Sequence, residues 1–498
     1  MSPRWLLRCR RLVALGCLSI VLSAPAAEKP NLLFILTDDI GYGDLGCYGA
    51  TRVKTPALDR LASQGCRFTD AHSTASTCTP TRYALLTGQY AWRHQPGSHI
   101  LPGDAPLGIP TNTVTLPKLL KQAGYTTGIV GKWHLGLGDS PQTDYNLDLK
   151  PGPLEVGFDS AFIIPATGDR VPCVYVENHR VLGLDPADPI TLDYSVKRGE
   201  PESFVCDIPR IGGMTGGTAA LWNDAEMADT LARRAAQFLE QHQAGPFFLY
   251  FSTHGIHVPR VPHPRFKGTS QSGVRGDQIQ ELDDTVRQVL AALDRLKLTD
   301  HTLVIFTSDN GGVLDTNGPD EVNSGNRETA NGHLPNGPWR GTKGTVLEGG
   351  HRVPFIARWL GRIRPGTTND TLFGLVDMPA TLAALTGVPL PADAAPDSFN
   401  VLPALLNQPG AGPVRDHLVF HNGGTNGPFG LRVGPWKLIS PAGAPRANRR
   451  KAAVPARQLY NLALDLGETN NLATSQPEKL EEMQALLAKI RQNARSRP

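Results

Sequence analysis

The chain has 498 residues, with 49 Lys and Arg against 46 Asp and Glu and a net charge of +3. So even a balance excludes a strongly basic nucleic-acid binder and gives no electrostatic reason to sit on an anionic membrane. A hydrophobic content of 40% with 19% charged residues excludes a disordered chain, and 52 glycines and 42 prolines imply many turns and long loops around a large core.

The first segment reads as a leader. Arg4, Arg8, Arg10 and Arg11 precede an apolar run over 12–22, and Ala24-Pro25-Ala26 offers a small-x-small cleavage site. The run is short for a membrane span, and a lipoprotein reading at Cys17 is poorer because the apolar run continues past Ala14. The expectation is a signal peptide over 1–26 and an exported protein, periplasmic or secreted, with no stable membrane insertion. The mature chain keeps Cys47, Cys66, Cys78, Cys173 and Cys206, an odd number that leaves one thiol over. Modification of Cys78 leaves four, which is compatible with zero, one or two disulfides.

The apolar run 31–36, between Pro30 and Thr37-Asp38-Asp39, predicts a buried parallel strand. Asp38 and Asp39 fall at its carboxyl end, where open α/β sheets place ligands, although two acids there, taken alone, more often cap a helix. Gly41, Gly43, Gly46 and Gly49 make a loop able to bring backbone close to a site. Thr55-Pro56 opens a helix that runs to Ala62, and a strand is expected over 67–70. Next comes Cys78-Thr79-Pro80-Thr81-Arg82, followed by a helix over 81–87 that places position 78 at an anion-binding N-terminus. Taken alone, Cys78 is a disulfide partner or a buried thiol.

A helix over 116–122 and a strand over 126–130 deliver Lys132 and His134. The region 139–217 is irregular, and its Asp169 and Arg170 read equally as substrate contacts or as a local ion pair. A helix over 224–241 and a buried strand over 247–251 lead to His254 and His257, whose i, i+3 spacing could make a metal pair. A long helix over 279–296 and a strand over 302–306 lead to Asp309 and Asn310. A polar Gly/Asn-rich loop is expected over 312–337, then Lys343, a short helix over 377–385, and a change of character near 410. Short strands over 418–421, 431–433 and 436–439 and a helix over 477–493 complete the chain.

Several of these stretches resemble one family together. Cys78-Thr-Pro-Thr-Arg82 with its trailing Leu-Thr-Gly resembles the C-x-P-x-R signature of the formylglycine-dependent (type I) sulfatases of the alkaline phosphatase superfamily, with Thr81 where Ser is usual. Asp38-Asp-Ile-Gly-Tyr-Gly-Asp-Leu-Gly46 and Ser308-Asp-Asn-Gly311 resemble that family's two metal loops. Gly131-Lys-Trp-His-Leu-Gly136, the His257-x-Pro259 after a strand, and Gly341-x-Lys343 with Glu348-Gly-Gly350 resemble its other motifs, and 459–472 resembles its C-terminal region. The likeness runs from about 29 to 475.

The resemblance implies an α/β fold: a large central mixed, mostly parallel sheet with helices on both faces, followed by a smaller antiparallel subdomain. The boundaries expected are 27–410 for the catalytic domain and 411–498 for the subdomain. It implies that Cys78 is oxidised to formylglycine (3-oxoalanine) by a formylglycine-generating enzyme, and that Asp38, Asp39, Asp309, Asn310 and the modified Cys78 hold Ca²⁺, with Mg²⁺ the lesser option. The oxygen donor set agrees with a hard cation. In the implied chemistry one hydroxyl of the aldehyde hydrate attacks sulfur, and the other expels sulfate. Arg82 supports the nucleophile, Lys132 and Lys343 neutralise sulfate, His257, together with Lys343, protonates the leaving oxygen, and His134 is the base, with the acid and base roles exchangeable. The substrate class expected is a sulfated carbohydrate, such as a 6- or 4-sulfated galactose or N-acetylgalactosamine. The alternatives are a phosphomonoester or phosphonate-ester hydrolase of the same superfamily and an inactive carbohydrate-binding relative.

Overall fold

The computed structural model describes residues 29–313, 332–408, 410, 412, 414–422, 424–441 and 457–497. The leader over 1–26 and most of the 312–337 loop lie outside these residues.

Strand β1 (Asn31–Thr37) is apolar along its length and buried at every position, as a strand covered on both faces must be. It lies between β7 (Phe247–Ser252) and β8 (Thr302–Ser308), parallel to both, and β7 lies parallel to β3 (Thr126–Lys132). The sheet is extended by β4 (Ser160–Ile164), β5 (Val176–Glu177) and β6 (Arg180–Val181) on one side. On the other side stand β9 (Phe355–Arg358), β2 (Cys66–Phe68) and β10 (Thr367–Asn369). The order of the ten described strands is β10-β2-β9-β8-β1-β7-β3-β4-β5-β6. Register brings the carboxyl ends of the central strands level: Thr37 pairs with Ser308, Leu36 with Ser252 and Ser252 with Gly131. Whatever follows those strands is therefore delivered to one edge of the sheet.

Two groups of helices flank the sheet. Helices α4 (Met227–Gln241) and α5 (Gly273–Arg295) pack on each other, and α1 (Pro56–Ser63) packs on α5. In the second group α2 (Cys78–Thr87) and α3 (Leu116–Gln122) meet α6 (Met378–Thr386). Helix α2 is buried at all ten positions, including Arg82, and Gly88 closes it in the left-handed region at φ 64°. Strands β11 (His417–His421), β12 (Phe429–Val433), β13 (Trp436–Ser440) and β14 (Gln458–Asn461) form a separate antiparallel sheet. Leu431 and Leu438 of that sheet share a core with Met483 and Leu487 of helix α7 (Pro477–Gln492).

The expected α/β architecture is present, with local departures. β4 is a full sheet strand inside the region read as irregular, because turns on both sides hide its four-residue apolar run, Ala161 to Ile164. Helix α2 starts at Cys78 rather than 81, since Pro80 in a first turn lacks only an N–H that has no partner there anyway. Helix α5 starts six residues earlier than its apolar periodicity suggests. Its first turns carry the buried polar residues Arg275 and Asp277, and Arg275 pairs with buried Asp44 at 2.5 Å. All five cysteines of the described residues are free thiols. Among the described residues no helix is long and apolar enough to cross a membrane.

Candidate active site

The segments after β1, β7 and β8 lace together through backbone. Asp38 N–H donates to the Gly255 carbonyl (3.2 Å), Ile256 N–H to the Asp38 carbonyl (2.7 Å), and Asp309 N–H to the Thr37 carbonyl (3.1 Å). Asp39 sits at φ 66°, a left-handed conformation that Asp tolerates better than most residues. The lacing gathers Asp38, Asp39, Asp309 and Asn310 with 0–2% exposure each.

Three cations enter this acidic cluster from other elements. Lys132, from the last position of β3, places Nζ 2.6 Å from Asp38 Oδ2 and 3.8 Å from Asp309 Oδ2. Lys343 places Nζ 2.6 Å from Asp39 Oδ1. Arg82, one helical turn beyond Cys78, donates through Nε and Nη2 to Asp309 Oδ2 at 3.1 and 2.7 Å, and through Nη1 to Ser252 Oγ. Burial would raise the Asp38 carboxyl, but Lys132, His257 and Lys343 outweigh it and hold the group well below the usual range. Asp39 is likewise held down, against burial, by Lys343 and His257. Asp309 goes the other way: burial and the neighbouring Asp38 push it up despite Arg82 and Lys132. Burial works against the Lys343 ammonium, yet Asp39 keeps it charged.

Cys78 stands at the first position of α2 with Sγ 3.7 Å from Asp38 Oδ1. Burial pushes its thiol up to about 11 in spite of Lys132 and Lys343, so the unmodified side chain is protonated and a weak nucleophile at neutral pH. Ligand atoms of Asp38, Asp39, Cys78 and His257 all lie within 4.8 Å of one another. Asn310 supplies the test of whether a cation fits. Its Nδ2 is engaged by Asp39 Oδ1 (2.8 Å) and the Gly311 carbonyl (3.0 Å), while its Oδ1 is buried with no hydrogen-bond partner. An orphaned amide oxygen beside three carboxylates is a donor set that fits a hard divalent cation, so these buried residues could hold one.

The histidines have fixed surroundings. His257 bonds through Nδ1 to the Val258 carbonyl (2.8 Å), which makes Nδ1 the N–H and leaves Nε2 facing Asp39 Oδ2 at 3.9 Å. His134 bonds through Nε2 to the Leu101 carbonyl (3.0 Å), so its buried, unpartnered Nδ1 carries the lone pair. Burial lowers both imidazoles, with Lys343 adding to the effect at His257 and Lys132 at His134. Asp169 and Arg170 form a local ion pair of 2.9 Å, and Asp169 also lies 3.9 Å from His257 Nδ1, so the pair stands at the site.

Sequence reasoning missed the supports of this arrangement. Ser252 and Asn336 carry no motif; Asn336 holds the Gly312 backbone at both N–H (2.7 Å) and carbonyl (3.0 Å). Asn422, just past β11, donates to the Gly344 carbonyl, so the C-terminal sheet reaches the residue next to Lys343. Glu348, part of a motif, points away from the centre. It pairs with Arg352 (2.7 Å) and with Lys437 of β13 (2.9 Å), tying the two sheets together.

Such a centre, a cation cradle at the carboxyl edge of a mostly parallel sheet with lysines and an arginine around one helix-borne side chain, defines a hydrolase of alkaline-phosphatase-like fold acting on an anionic ester. More narrowly, the chain belongs to the sulfatase family, whose model, described as Sulfatase, matches residues 30–388. It is 46% identical over 493 residues to an N-acetylgalactosamine-6-O-sulfatase of Bacteroides thetaiotaomicron, covering 93% of this chain and 94% of the relative. To human arylsulfatase A it is 34% identical over 488 residues, covering 94% and 89% of the two chains. Among solved structures, one described under the metabolism of multiple glycosaminoglycans by Bacteroides thetaiotaomicron superposes with a TM-score of 0.87 at 45% identity, over 94% of this chain and all of that one.

Proposed function

We propose that this chain is an exported, Ca²⁺- and formylglycine-dependent sulfatase that removes the 6-sulfate of N-acetylgalactosamine in glycosaminoglycan fragments. The observation that carries the substrate is the 46% identity, over 93% of the chain, to an N-acetylgalactosamine-6-O-sulfatase. The chemistry rests on the convergence of Cys78, Arg82, Lys132 and Lys343 on the acidic cluster.

Asp38, Asp39, Asp309 and Asn310, with the oxygen introduced at position 78, would hold Ca²⁺, which supplies Lewis-acid polarisation of a sulfate oxygen. A formylglycine-generating enzyme acting on Cys78 during export would provide an oxygen nucleophile where the thiol is protonated. The chain's own residues do the rest. Lys132 and Lys343 set positive charge beside the sulfate oxygens, and Arg82 orients position 78 by locking Asp309. His257, held at Nδ1 by Val258 with Asp169 beside that nitrogen, acts as the acid in its imidazolium form, giving the second proton, at Nε2, to the leaving sugar oxygen. His134 accepts a proton at Nδ1, its Nε2 being committed to Leu101. Asp169 and Arg170 line the substrate side of His257 and contact sugar hydroxyls.

The test is turnover of N-acetylgalactosamine 6-sulfate, its 4-sulfate isomer and an aryl phosphate by protein matured in a host with the generating enzyme. Preference for the 6-sulfate supports the proposal. Preference for phosphate would move the chain to the phosphoester branch of the superfamily, and glycan binding without turnover would make it a non-catalytic relative.

A further inference from the structure

Two consecutive residues at the end of β11 hold two different parts of the reaction centre. The His421 N–H donates to the Thr74 carbonyl (3.2 Å), and the His421 carbonyl accepts from the Ser76 N–H (3.2 Å). A parallel bridge between Ala75 and His421 results, so the end of β11 lies beside the segment that leads into Cys78. The next residue, Asn422, donates through Nδ2 to the Gly344 carbonyl. The Gly344 N–H donates to the Ser76 carbonyl at 2.8 Å. The peptide groups on both sides of Gly344 are thus held, one by the segment before Cys78 and the other by the C-terminal sheet.

The backbone around Lys343 needs such anchors. Gly341 and Gly344 flank it at φ 92° and 83°, both in the left-handed region. A Cβ on Gly344 would find its nearest neighbour, Asn422 Nδ2, only at 4.0 Å, so packing does not confine this glycine. Glycine is the residue with most backbone freedom, and lysine adds a long flexible side chain. Even so, Lys343 Nζ stands 2.6 Å from Asp39 Oδ1. Within the catalytic domain the Lys343 N–H donates to the Gly312 carbonyl (3.2 Å), and Thr342 Oγ1 donates to the same oxygen (2.8 Å). Asn422 adds the anchor on the far side of the lysine. It is carried on a rigid element, since all five residues of β11 are buried and Leu418, Val419 and Phe420 belong to the C-terminal core.

We propose that Asn422 is a positioning residue for Lys343. By holding the Gly344 carbonyl it keeps the ammonium where a sulfate oxygen must be neutralised, and the C-terminal sheet thereby completes the reaction centre. A charge that stabilises a transition state acts only when it is placed in advance, so the loss of this anchor appears in turnover before it appears in stability. The role of Lys343 toward sulfate rests on the sulfatase reading; the anchoring of Gly344 does not.

The experiment is a double-mutant cycle on the mature enzyme: wild type, Asn422→Ala, Lys343→Ala and the two combined. For each, kcat/KM is measured on a sulfate ester, the Kd of inorganic sulfate by calorimetry, and the unfolding midpoint in urea. Asn422→Ala is expected to lower kcat/KM about tenfold and to weaken sulfate binding about fivefold, with the midpoint unchanged. In the Lys343→Ala background the same change is expected to cost less than about twofold, because the group it places is gone. Asn422→Asp keeps the shape but sets an acceptor against the Gly344 carbonyl, and a larger loss than that of Asn422→Ala is expected. Equal losses in both backgrounds would make Asn422 a structural residue and overturn the proposal. So would wild-type kcat/KM and sulfate Kd in Asn422→Ala. A wild-type protein that neither binds sulfate nor turns over a sulfate ester removes the sulfatase reading itself, and this proposal with it, which separates the two failures.

Discussion

Replacing Lys437 by Met tests the idea that the two sheets are held together by one buried charge. Lys437 is fully buried, with Nζ 2.9 Å from Glu348 Oε1, 2.8 Å from Glu468 Oε1 and 3.1 Å from His351 Nε2. Methionine fills much the same volume but leaves two carboxylates without their shared cation, and breaking a buried pair in this way costs about 3–5 kcal/mol. Arg352 stays on Glu348 at 2.7 Å, which argues for the lower part of that range. The pH dependence gives the argument a sign. Burial raises the Glu348 carboxyl, but Lys437 first and Arg352 next hold it well below its ordinary value. A carboxylate depressed in the folded state contributes stability above its unfolded value, about 4.3, and that contribution is lost as pH falls through the folded value. Lys437→Met removes the largest opposing cause, so the gap between wild type and variant is full at neutral pH and narrows toward about pH 4, where the unpaired carboxyls protonate. Urea unfolding followed by near- and far-UV circular dichroism at both pH values measures it. A loss below about 1 kcal/mol at neutral pH, or a gap that widens on acidification, would refute the reasoning.

Three further outcomes are expected. Cys78→Ala removes activity by at least about a thousandfold while the melting temperature stays near that of wild type; residual turnover within tenfold of the matured enzyme would show that position 78 is not the nucleophile. Chelation lowers both activity and melting temperature, and Ca²⁺ at about a hundred times its Kd returns about 2.7 kcal/mol of stability; Asn310→Ala, which removes the orphaned oxygen, is expected to weaken that return, and an unchanged Ca²⁺ dependence would count against the cation site. His257→Ala is expected to slow a sugar sulfate by about 10²-fold or more but an activated aryl sulfate much less, because a phenolate departs without a proton; equal losses on both would remove His257 from the acid role.

What was legible in the sequence followed from one physical regularity. A buried parallel strand is a short unbroken apolar run, and its carboxyl end exposes whatever comes next. Leu32–Leu36, Phe247–Phe251 and Leu303–Phe306 could each be read as such runs, and the residues after them, Asp38-Asp39, His254 to His257 and Asp309-Asn310, do converge. Helix α2 was legible at its end, Thr87 before Gly88, but its start was expected three residues late, at 81, because Pro80 lies inside the first turn and not before it. The long-range charge pairing was not legible. Arg82 meets Asp309 across 227 positions and Lys437 meets Glu348 across 89, and no local pattern ties either pair. Glu281 illustrates the deeper difficulty. A Glu inside an amphipathic helix reads as a solvated face, yet here it is 4% exposed. Helix α5 is covered by α4 on one side and by the histidine turn on another, so part of its polar stripe turns inward rather than outward to solvent. The motifs locate the atoms that touch the substrate. The groups that keep those atoms placed and relieved of charge belong to elements packed behind them, whose relation to the site exists only once the chain has folded.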